Sequence, residues 1–287
     1  MITVVRTGPR ALLVDGGRPG LAAIGVPCSG AFDRGAYEAG QALVGDRGGW
    51  AFEVLLGGLL LRTDAAIVVA ITGAPVPVTV DGEPAAAGLV ALAAGGDLRL
   101  GAPRSGLRTY VAVAGGLVPP RPGALAGFGP VPLRAGDRVA VSPSSQPLPA
   151  SLLAGPSGAS PDPPDPAPVP STSPAPVLPV LSVLPGPRFD HLARPAQLVG
   201  RWTVSPHSDR VGVRLDGGAL DRTSPAEIES EGLVRGAVQA PPGGQLVVFG
   251  PDHPTTGGYP VIGVLTPDSL SVLAQARPGE QVRLEWR

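Results

Sequence analysis

The chain has 287 residues, a net charge of -1 and a single cysteine, and these figures exclude several classes of protein. A pI of about 6.3 leaves no basic field for nucleic acid or anionic lipid. One cysteine cannot form an internal disulfide, and it fits a reducing compartment.

Lysine is absent, and all 22 basic residues are arginine. The chain therefore offers no Schiff-base lysine, no phosphate-binding Walker lysine and no attachment point for biotin. Any cationic group that binds carboxylate or phosphate must be an arginine, which contacts both in a forked geometry. A carrier or nucleotide lysine, if the chemistry needs one, must come from another chain.

The chain shows no sign of export or membrane insertion. Its first residues, MITVVRTGPR, lack the charged and apolar regions of a secretion signal. The longest apolar run, Ala65 to Val80, is interrupted by Gly73, Pro75 and Pro77 and is too short to span a bilayer. We expect a soluble cytoplasmic protein with no nucleic-acid or membrane partner.

Short apolar runs between Gly/Pro turns predict strands throughout. In chain order they are Ile2–Val5, Ala66–Ile71, Val76–Val80, Tyr110–Ala114, Val180–Leu184, Leu246–Phe249 and Val261–Leu265. Two helices are predicted. The first covers Asp33–Val44, with Asp33 as cap and Ala36, Tyr37, Leu43 and Val44 on its apolar side; the second covers Pro267–Gln275, with Asp268 as cap.

Three segments share a Gly turn, an acidic residue and an alternating strand: AAGGDLRL (93–100), RAGDRVAV (134–141) and RPGEQVRL (277–284). They predict related hairpins that close sheets. A Pro/Ser/Ala-rich stretch from Ser142 to about Pro179 predicts a disordered or semi-stiff linker. The predicted organisation is a β-rich domain over 1–141, a linker over 142–179 and a second β-rich domain over 180–287.

One segment near the start of the chain carries several candidate binding residues. Gly16–Asp33 places Arg18 between glycines and a proline, either as a clamp for an anion or as a surface turn. Ser29 and Gly30 precede Asp33, where free amides could hold an anion unless Asp33 only caps the helix. Cys28 lacks a histidine nearby in sequence, which argues against a nucleophile.

Acidic and basic residues recur in two further strands. Glu53 lies in the alternating FEVLLGG and points into a cavity or faces water. In SDRVGVRL (208–215), Asp209 and Arg210 form a pair that holds a loop, or Arg210 and Arg214 face a substrate.

The loop between the last two predicted strands bears the densest polar chemistry. Asp252, Thr255 and Tyr259 are proposed as catalytic residues together with Gln239, because they could polarise a small carbonyl group. Substrate contacts are expected from Thr256, Gly257 and Gly258, the two glycines through their amides. The alternative is a tight hairpin whose polar groups satisfy their own backbone.

Histidine chemistry is less favoured. His191, His207 and His253 show no metal-ligand spacing, so no metal site is expected. His253 lies beside Asp252 and could exchange a proton near neutral pH. No Ser-His-Asp order or nucleophile elbow is present.

Three blocks together resemble a known family, the C-type subunits of bacterial 5-oxoprolinase, also called allophanate hydrolase subunit 2, a carboxyltransferase-like group. The blocks are GGRPGLAAIGVPCSGAFD (16–33), SDRVGVRL (208–215) and the run from Gly236 to Pro260 that contains GxxQxP, PxG and DxxTxGGYP. The resemblance implies an all-β fold of two tandem cyclophilin-like β-barrels, where the residues alone predict two β-rich units.

The resemblance also implies a function and partners. The chain would act with a B-type and an A-type subunit to open 5-oxoproline to glutamate, with ATP held by the assembly. Such a subunit would be inactive alone. Two alternatives remain open: a regulatory module that holds a kinase-inhibitor-like B-type partner, and half of a biotin-dependent carboxyltransferase acting on a urea-like acceptor.

The chain departs from the family pattern in one segment. After Gly115–Gly116 the family usually carries a Gly-Ser-Arg-Ser/Thr element, whereas this chain has PPRPGALAGFGPVPLRAGD (119–137) and retains only the closing turn. If that element contacts substrate, this chain has altered activity or serves only to bind a partner.

Overall fold

A computed structural model describes residues 1–46, 48–123, 127–142, 178–218, 220–224 and 228–287. Within those ranges the chain is built of short strands with two α-helices, which confirms the predicted all-β class. The predicted linker lies outside the described residues apart from its ends. We call 1–142 the N-terminal half and 178–287 the C-terminal half.

The N-terminal half contains two antiparallel sheets. The strands are β1 Ile2–Thr7, β2 Arg10–Val14, β3 Ala51–Leu55, β4 Leu59–Thr63, β5 Ile67–Gly73, β6 Val78–Val80, β7 Glu83–Ala85, β8 Gly88–Leu92, β9 Asp97–Leu100, β10 Arg108–Val113, β11 Leu117–Val118, β12 Val131–Pro132 and β13 Arg138–Val141. The seven-stranded sheet has the order β11-β13-β1-β4-β9-β6-β7, and the six-stranded sheet has the order β12-β2-β3-β10-β5-β8. Alternating Val, Leu and Ile side chains from both sheets form one core.

Helix α1, Arg34–Leu43, covers the other face of the six-stranded sheet through Tyr37. Asp33 caps it as predicted, because its carboxylate accepts a hydrogen bond from the amide of Ala36 at 3.0 Å. The predicted burial of Leu43 is wrong, since this side chain is exposed while Gln41 is buried and donates to the carbonyl of Gly49.

The C-terminal half forms a closed barrel. Its strands are β14 Val180–Pro185, β15 Gly200–Val204, β16 Gly212–Asp216, β18 Ala237–Gln239, β19 Leu246–Phe249, β21 Val261–Leu265 and β22 Gln281–Trp286; β17 Glu231–Gly232 and β20 Thr256–Gly257 pair separately. The strand order around the barrel is β14-β21-β18-β19-β16-β15-β22. Closure removes free sheet edges.

Helix α2 covers Pro267–Gln275, as predicted, and buries Leu270 and Leu273 in the core of the C-terminal half. Its predicted cap is wrong. Thr266, not Asp268, accepts the hydrogen bond from the amide of Ser269, because Pro267 occupies the first helical position and leaves the extended Thr266 as cap.

The three predicted closing segments each form a turn that leads into a strand, but the prediction that they are hairpins is wrong. The strands before β9 and β13 pair in the other sheet, and β22 follows helix α2. Each has its turn glycine at positive φ (Gly95, Gly136 and Gly279) and continues into a strand, β9, β13 or β22. The acid of the second and third segments accepts a hydrogen bond from the backbone amide three residues earlier.

Both apolar and polar side chains join the two halves. Phe32 of the N-terminal half belongs to the core of the C-terminal half. Gln275 of α2 accepts hydrogen bonds from the amides of Leu107 and Arg108 and donates to Asp33. Arg277 donates to the carbonyls of Gly106 and Pro103. This contact region contains the candidate site.

Candidate functional site

Arg210 lies where the three resembling sequence blocks meet. Its Nε donates to Asp252 at 2.8 Å, its Nη1 to Glu53 at 2.5 Å and its Nη2 to the carbonyl of Gly30 at 2.6 Å. The side chain of Arg210 is 6% exposed and that of Glu53 is 4% exposed. We call these four residues together with Ser29 the Arg210 hub.

Glu53 is held as an anion inside the contact region. Burial alone would raise its pKa, but Arg210 and Arg108 and the hydrogen bonds from the Phe32 amide and Tyr110 hydroxyl outweigh burial and lower it. Burial alone would lower the pKa of Arg210, but the carboxylates of Glu53 and Asp252 outweigh burial and raise it. Glu53 and Arg210 therefore form a buried ion pair that stays charged at neutral pH.

The backbone of the first block approaches this cluster closely. Ser29 is fully buried with φ of 50°, and its hydroxyl donates to Asp252 at 2.9 Å. Gly30 has φ of 88°, and a Cβ there would lie 2.6 Å from the amide nitrogen of Gly17. Buried non-Gly residues at positive φ concentrate at functional sites.

His253 lies next to the hub on the same loop as Asp252. It is 3% exposed, its Nδ1 donates to the carbonyl of Pro254 at 2.7 Å, and its Nε2 has no hydrogen-bond partner among the described residues. Burial, aided by the charge of Arg235, keeps the pKa of His253 below its ordinary value. His253 is therefore a neutral imidazole whose Nε2 can accept a hydrogen bond.

The other predicted catalytic residues form their own contacts beside the hub. The amide of Gln239 is buried and donates to the carbonyl of Tyr259 at 2.8 Å. Thr256 and Gly257 pair with β17, and the carbonyls of Thr255 and Gly258 accept from Leu233 and Ile228. The roles predicted for Gln239, Thr255, Thr256, Gly257, Gly258 and Tyr259 stay predictions.

Arg18 and Arg214, both predicted to contact substrate, lie outside the Arg210 hub. Arg18 pairs with Asp15 at 2.6 Å, and its amide donates to the carbonyl of Cys28. Arg214 lies on an exposed face of the barrel and donates to Gln245. Their substrate contacts also stay predictions. Asp209 accepts hydrogen bonds from the amides of Val211 and Gly212 and so holds the loop that presents Arg210.

A cleft of about 190 Å³ lies between the halves, next to the hub. Side chains of both halves line it: Arg10, Leu12, Glu53, Leu55, Leu56, Leu107, Arg108, Ser208, Asp209, Arg210 and Pro278. Leu56 has φ of 56°, an unusual conformation for a bulky side chain. We call this space the inter-half cleft; Arg18, Gln239 and Thr255 do not line it.

Arg108 and Arg10 were not singled out from sequence. Arg108 opens β10, donates through Nη1 to the carbonyl of Ala274 and stacks on the ring of Phe32 at 4.3 Å. A charged residue two positions before Tyr110 in an otherwise apolar run was the available signal, because both side chains face one side of the strand. Arg10 had no such signal.

The described residues contain no metal cluster, and the inter-half cleft is small. No group of three or more His, Cys, Asp or Glu side chains among those residues could hold a metal ion. The inter-half cleft is smaller than the ~300–1,000 Å³ of sites for drug-sized ligands, so a nucleotide does not fit it. No described helix is long and apolar enough to cross a bilayer.

Comparisons with known proteins agree with the sequence blocks. The sequence model of the carboxyltransferase domain, subdomain A and B, matches residues 24–286. The C-type subunit of 5-oxoprolinase from Escherichia coli K12 is 32% identical over 98% of this chain and 90% of its own length. Its counterpart from Haemophilus influenzae is 30% identical over 99% of this chain and 91% of its own.

Solved structures share the fold. TTHA0988 aligns with a TM-score of 0.79 at 30% identity, over 99% of this chain and 56% of its own. The Kluyveromyces lactis urea amidolyase aligns with a TM-score of 0.81 at 24% identity, over 99% of this chain and 18% of its own. This chain therefore spans about half of the first protein and a small part of the second.

Proposed function

Because the chain belongs to the carboxyltransferase subdomain A and B family, we propose that it is the C-type subunit of an ATP-dependent 5-oxoprolinase. One observation carries the proposal: the chain is 32% identical, over 98% of its length, to an Escherichia coli protein named as the C-type subunit of 5-oxoprolinase. It acts with B-type and A-type subunits to convert 5-oxo-L-proline to L-glutamate.

The chemistry explains why such a reaction needs ATP and several chains. A ring amide is a poor electrophile, so phosphorylation of its oxygen prepares the carbonyl carbon for water. With no lysine, this chain supplies only arginine for the negative charge that develops, and ATP is held by the assembly. This chain contributes arginine side chains that line the cleft between its two β-rich halves.

The likeness to urea amidolyase supports the fold alone at 24% identity. It adds no argument for carboxyl transfer, and the absence of lysine means that any biotin must be attached to a partner. A regulatory module without turnover is the second alternative to be tested.

The test is reconstitution. The chain is co-expressed with the A-type and B-type proteins of its source, the complex is purified, and L-glutamate is measured with and without ATP. We expect ATP-dependent glutamate from the full set and none from the chain alone or from the set that lacks it. A stable complex that releases no glutamate would refute the proposal, and avidin blotting would then show whether a partner carries biotin.

A further inference from the structure

The inter-half cleft contains a buried guanidinium whose hydrogen-bonding capacity is only partly used. Arg108 is 6% exposed and bonds through Nη1 to the carbonyl of Ala274. Its Nε lies 3.8 Å from the Glu53 carboxylate, beyond hydrogen-bond distance, and in the described residues neither Nε nor Nη2 has an acceptor. Donors of Arg108 are therefore available to a ligand in the cleft.

Burial leaves the charge of Arg108 only partly compensated. Desolvation lowers the pKa of Arg108, and the nearby carboxylate of Glu53 offsets it only in part. Glu53 is already engaged by Arg210, by the Tyr110 hydroxyl and by the amide of Phe32. An anion in the cleft would give Arg108 a second charge partner and acceptors for its unused donors.

The mouth of the cleft offers one cation and one hydrogen-bond acceptor. Arg10 is exposed, and its side chain has no partner among the described residues. Asp209 uses only Oδ1 on the two amides of its own turn, which leaves Oδ2 free in the described structure. Leu12, Leu55 and Leu107 provide apolar walls between these polar groups.

We propose that the inter-half cleft binds a small carboxylate that also carries an N–H group. Arg108 and Arg10 contact the carboxylate, Asp209 accepts the N–H, and the leucines pack against the apolar body. A volume of about 190 Å³ suits a single small ring. That the natural ligand is 5-oxo-L-proline, a lactam ring with a carboxylate, rests on the proposed function.

The test is binding to the purified full chain by calorimetry, with three probes that share a single five-membered ring. 5-Oxo-L-proline carries both groups, pyrrolidin-2-one lacks the carboxylate, and cyclopentanecarboxylate lacks the N–H. Arg10→Glu is the main variant because Arg10 is exposed and its replacement leaves the fold intact. Arg201→Glu, an exposed arginine on the opposite half, is the matched control.

We expect 5-oxo-L-proline to bind most tightly and Arg10→Glu to weaken it by about tenfold or more, as for loss of a charged hydrogen bond. Arg201→Glu should bind as the unaltered chain does. Asp209→Asn retains the turn hydrogen bonds through its Oδ1. It should weaken the binding of 5-oxo-L-proline but not that of cyclopentanecarboxylate. Equal binding of 5-oxo-L-proline and pyrrolidin-2-one, no binding of any probe, or no effect of Arg10→Glu overturns the proposal.

The same variants separate this inference from the proposed function. If Arg10→Glu leaves glutamate release by the assembled complex unchanged, the proposed ligand binding in the cleft is refuted and the proposed function still stands. Binding of 5-oxo-L-proline through Arg10, without glutamate release from the assembly, would support the cleft and refute the function.

Discussion

Replacing Arg210 by methionine should destabilise the chain more than any other single loss of charge in the hub. The methionine fills similar volume but leaves Glu53 and Asp252 without their common cation. Breaking a buried ion pair from one side costs about 3–5 kcal/mol, because the remaining charge is desolvated and uncompensated. Solvent screens this cluster little, since Glu53 is 4% exposed.

The expected effect on melting follows from chain size. A domain of 150–250 residues loses about 2–4 °C for each kcal/mol, so Arg210→Met should lower Tm by roughly 6–20 °C. Differential scanning calorimetry at pH 7 measures it. Arg62→Met is the matched control, because the Arg62–Asp97 pair lies on the surface, and we expect no measurable shift from it.

A second variant separates charge from packing. If the cost of Arg210→Met comes from an uncompensated carboxylate, adding Glu53→Gln should restore part of the stability, with a coupling of about 1 kcal/mol or more. The reasoning fails if Arg210→Met melts within about 2 °C of the unaltered chain. It also fails if the double variant is no better than the sum of the single variants.

Three further predictions concern the same contact region. The pKa of Glu53 is lowered from 4.5, so its stabilisation is complete above pH 4.5 and is lost as the pH falls from there through the folded value; Glu53→Gln should flatten Tm over pH 3–5. The pKa of His253 is lowered from 6.5, so folding disfavours its protonation and stability falls as the pH drops below 6.5; His253→Gln should reduce the loss between pH 7.5 and 5.5 in urea titrations, and an unchanged loss would contradict this. A Cβ at Gly250 would lie 2.4 Å from the carbonyl oxygen of Arg210 and 2.9 Å from the Phe32 ring, whereas Gly232 has open space. Gly250→Ala should therefore cost about 1–3 kcal/mol and Gly232→Ala within about 0.5, and equal urea midpoints would refute the packing argument.

Local features of the sequence were the most predictable. The strands Leu246–Phe249 and Val261–Leu265 and the helix Pro267–Gln275 have the predicted bounds. Each is a short apolar run or stripe ended by Gly, Pro or a cap, and such signals act over a few residues. The Asp268 error has a local cause as well, because a threonine directly before the proline already supplied the better cap.

Pairings between the halves were not predictable from one sequence. Arg210 and Glu53 are 157 positions apart, and nothing in either segment states that they meet. Periodicity shows which face of a strand is buried, but it does not show which distant strand provides the facing side chain. For the same reason Arg10 escaped notice, since it acts only through the cleft that the two halves create together.

The three sequence blocks that resemble the family all contribute residues to the Arg210 hub, which is a physical reason for their occurring together. Ser29 and Gly30 come from the first block, Arg210 from the second and Asp252 from the third, and their bonds join loops from both halves. A guanidinium with carboxylate partners on two sides has few alternative arrangements, so the cluster favours one orientation of the halves. Since both halves line the inter-half cleft, the shape of that cleft depends on this orientation. Any substitution that loosens the hub should therefore weaken ligand binding in the cleft even when it does not contact the ligand.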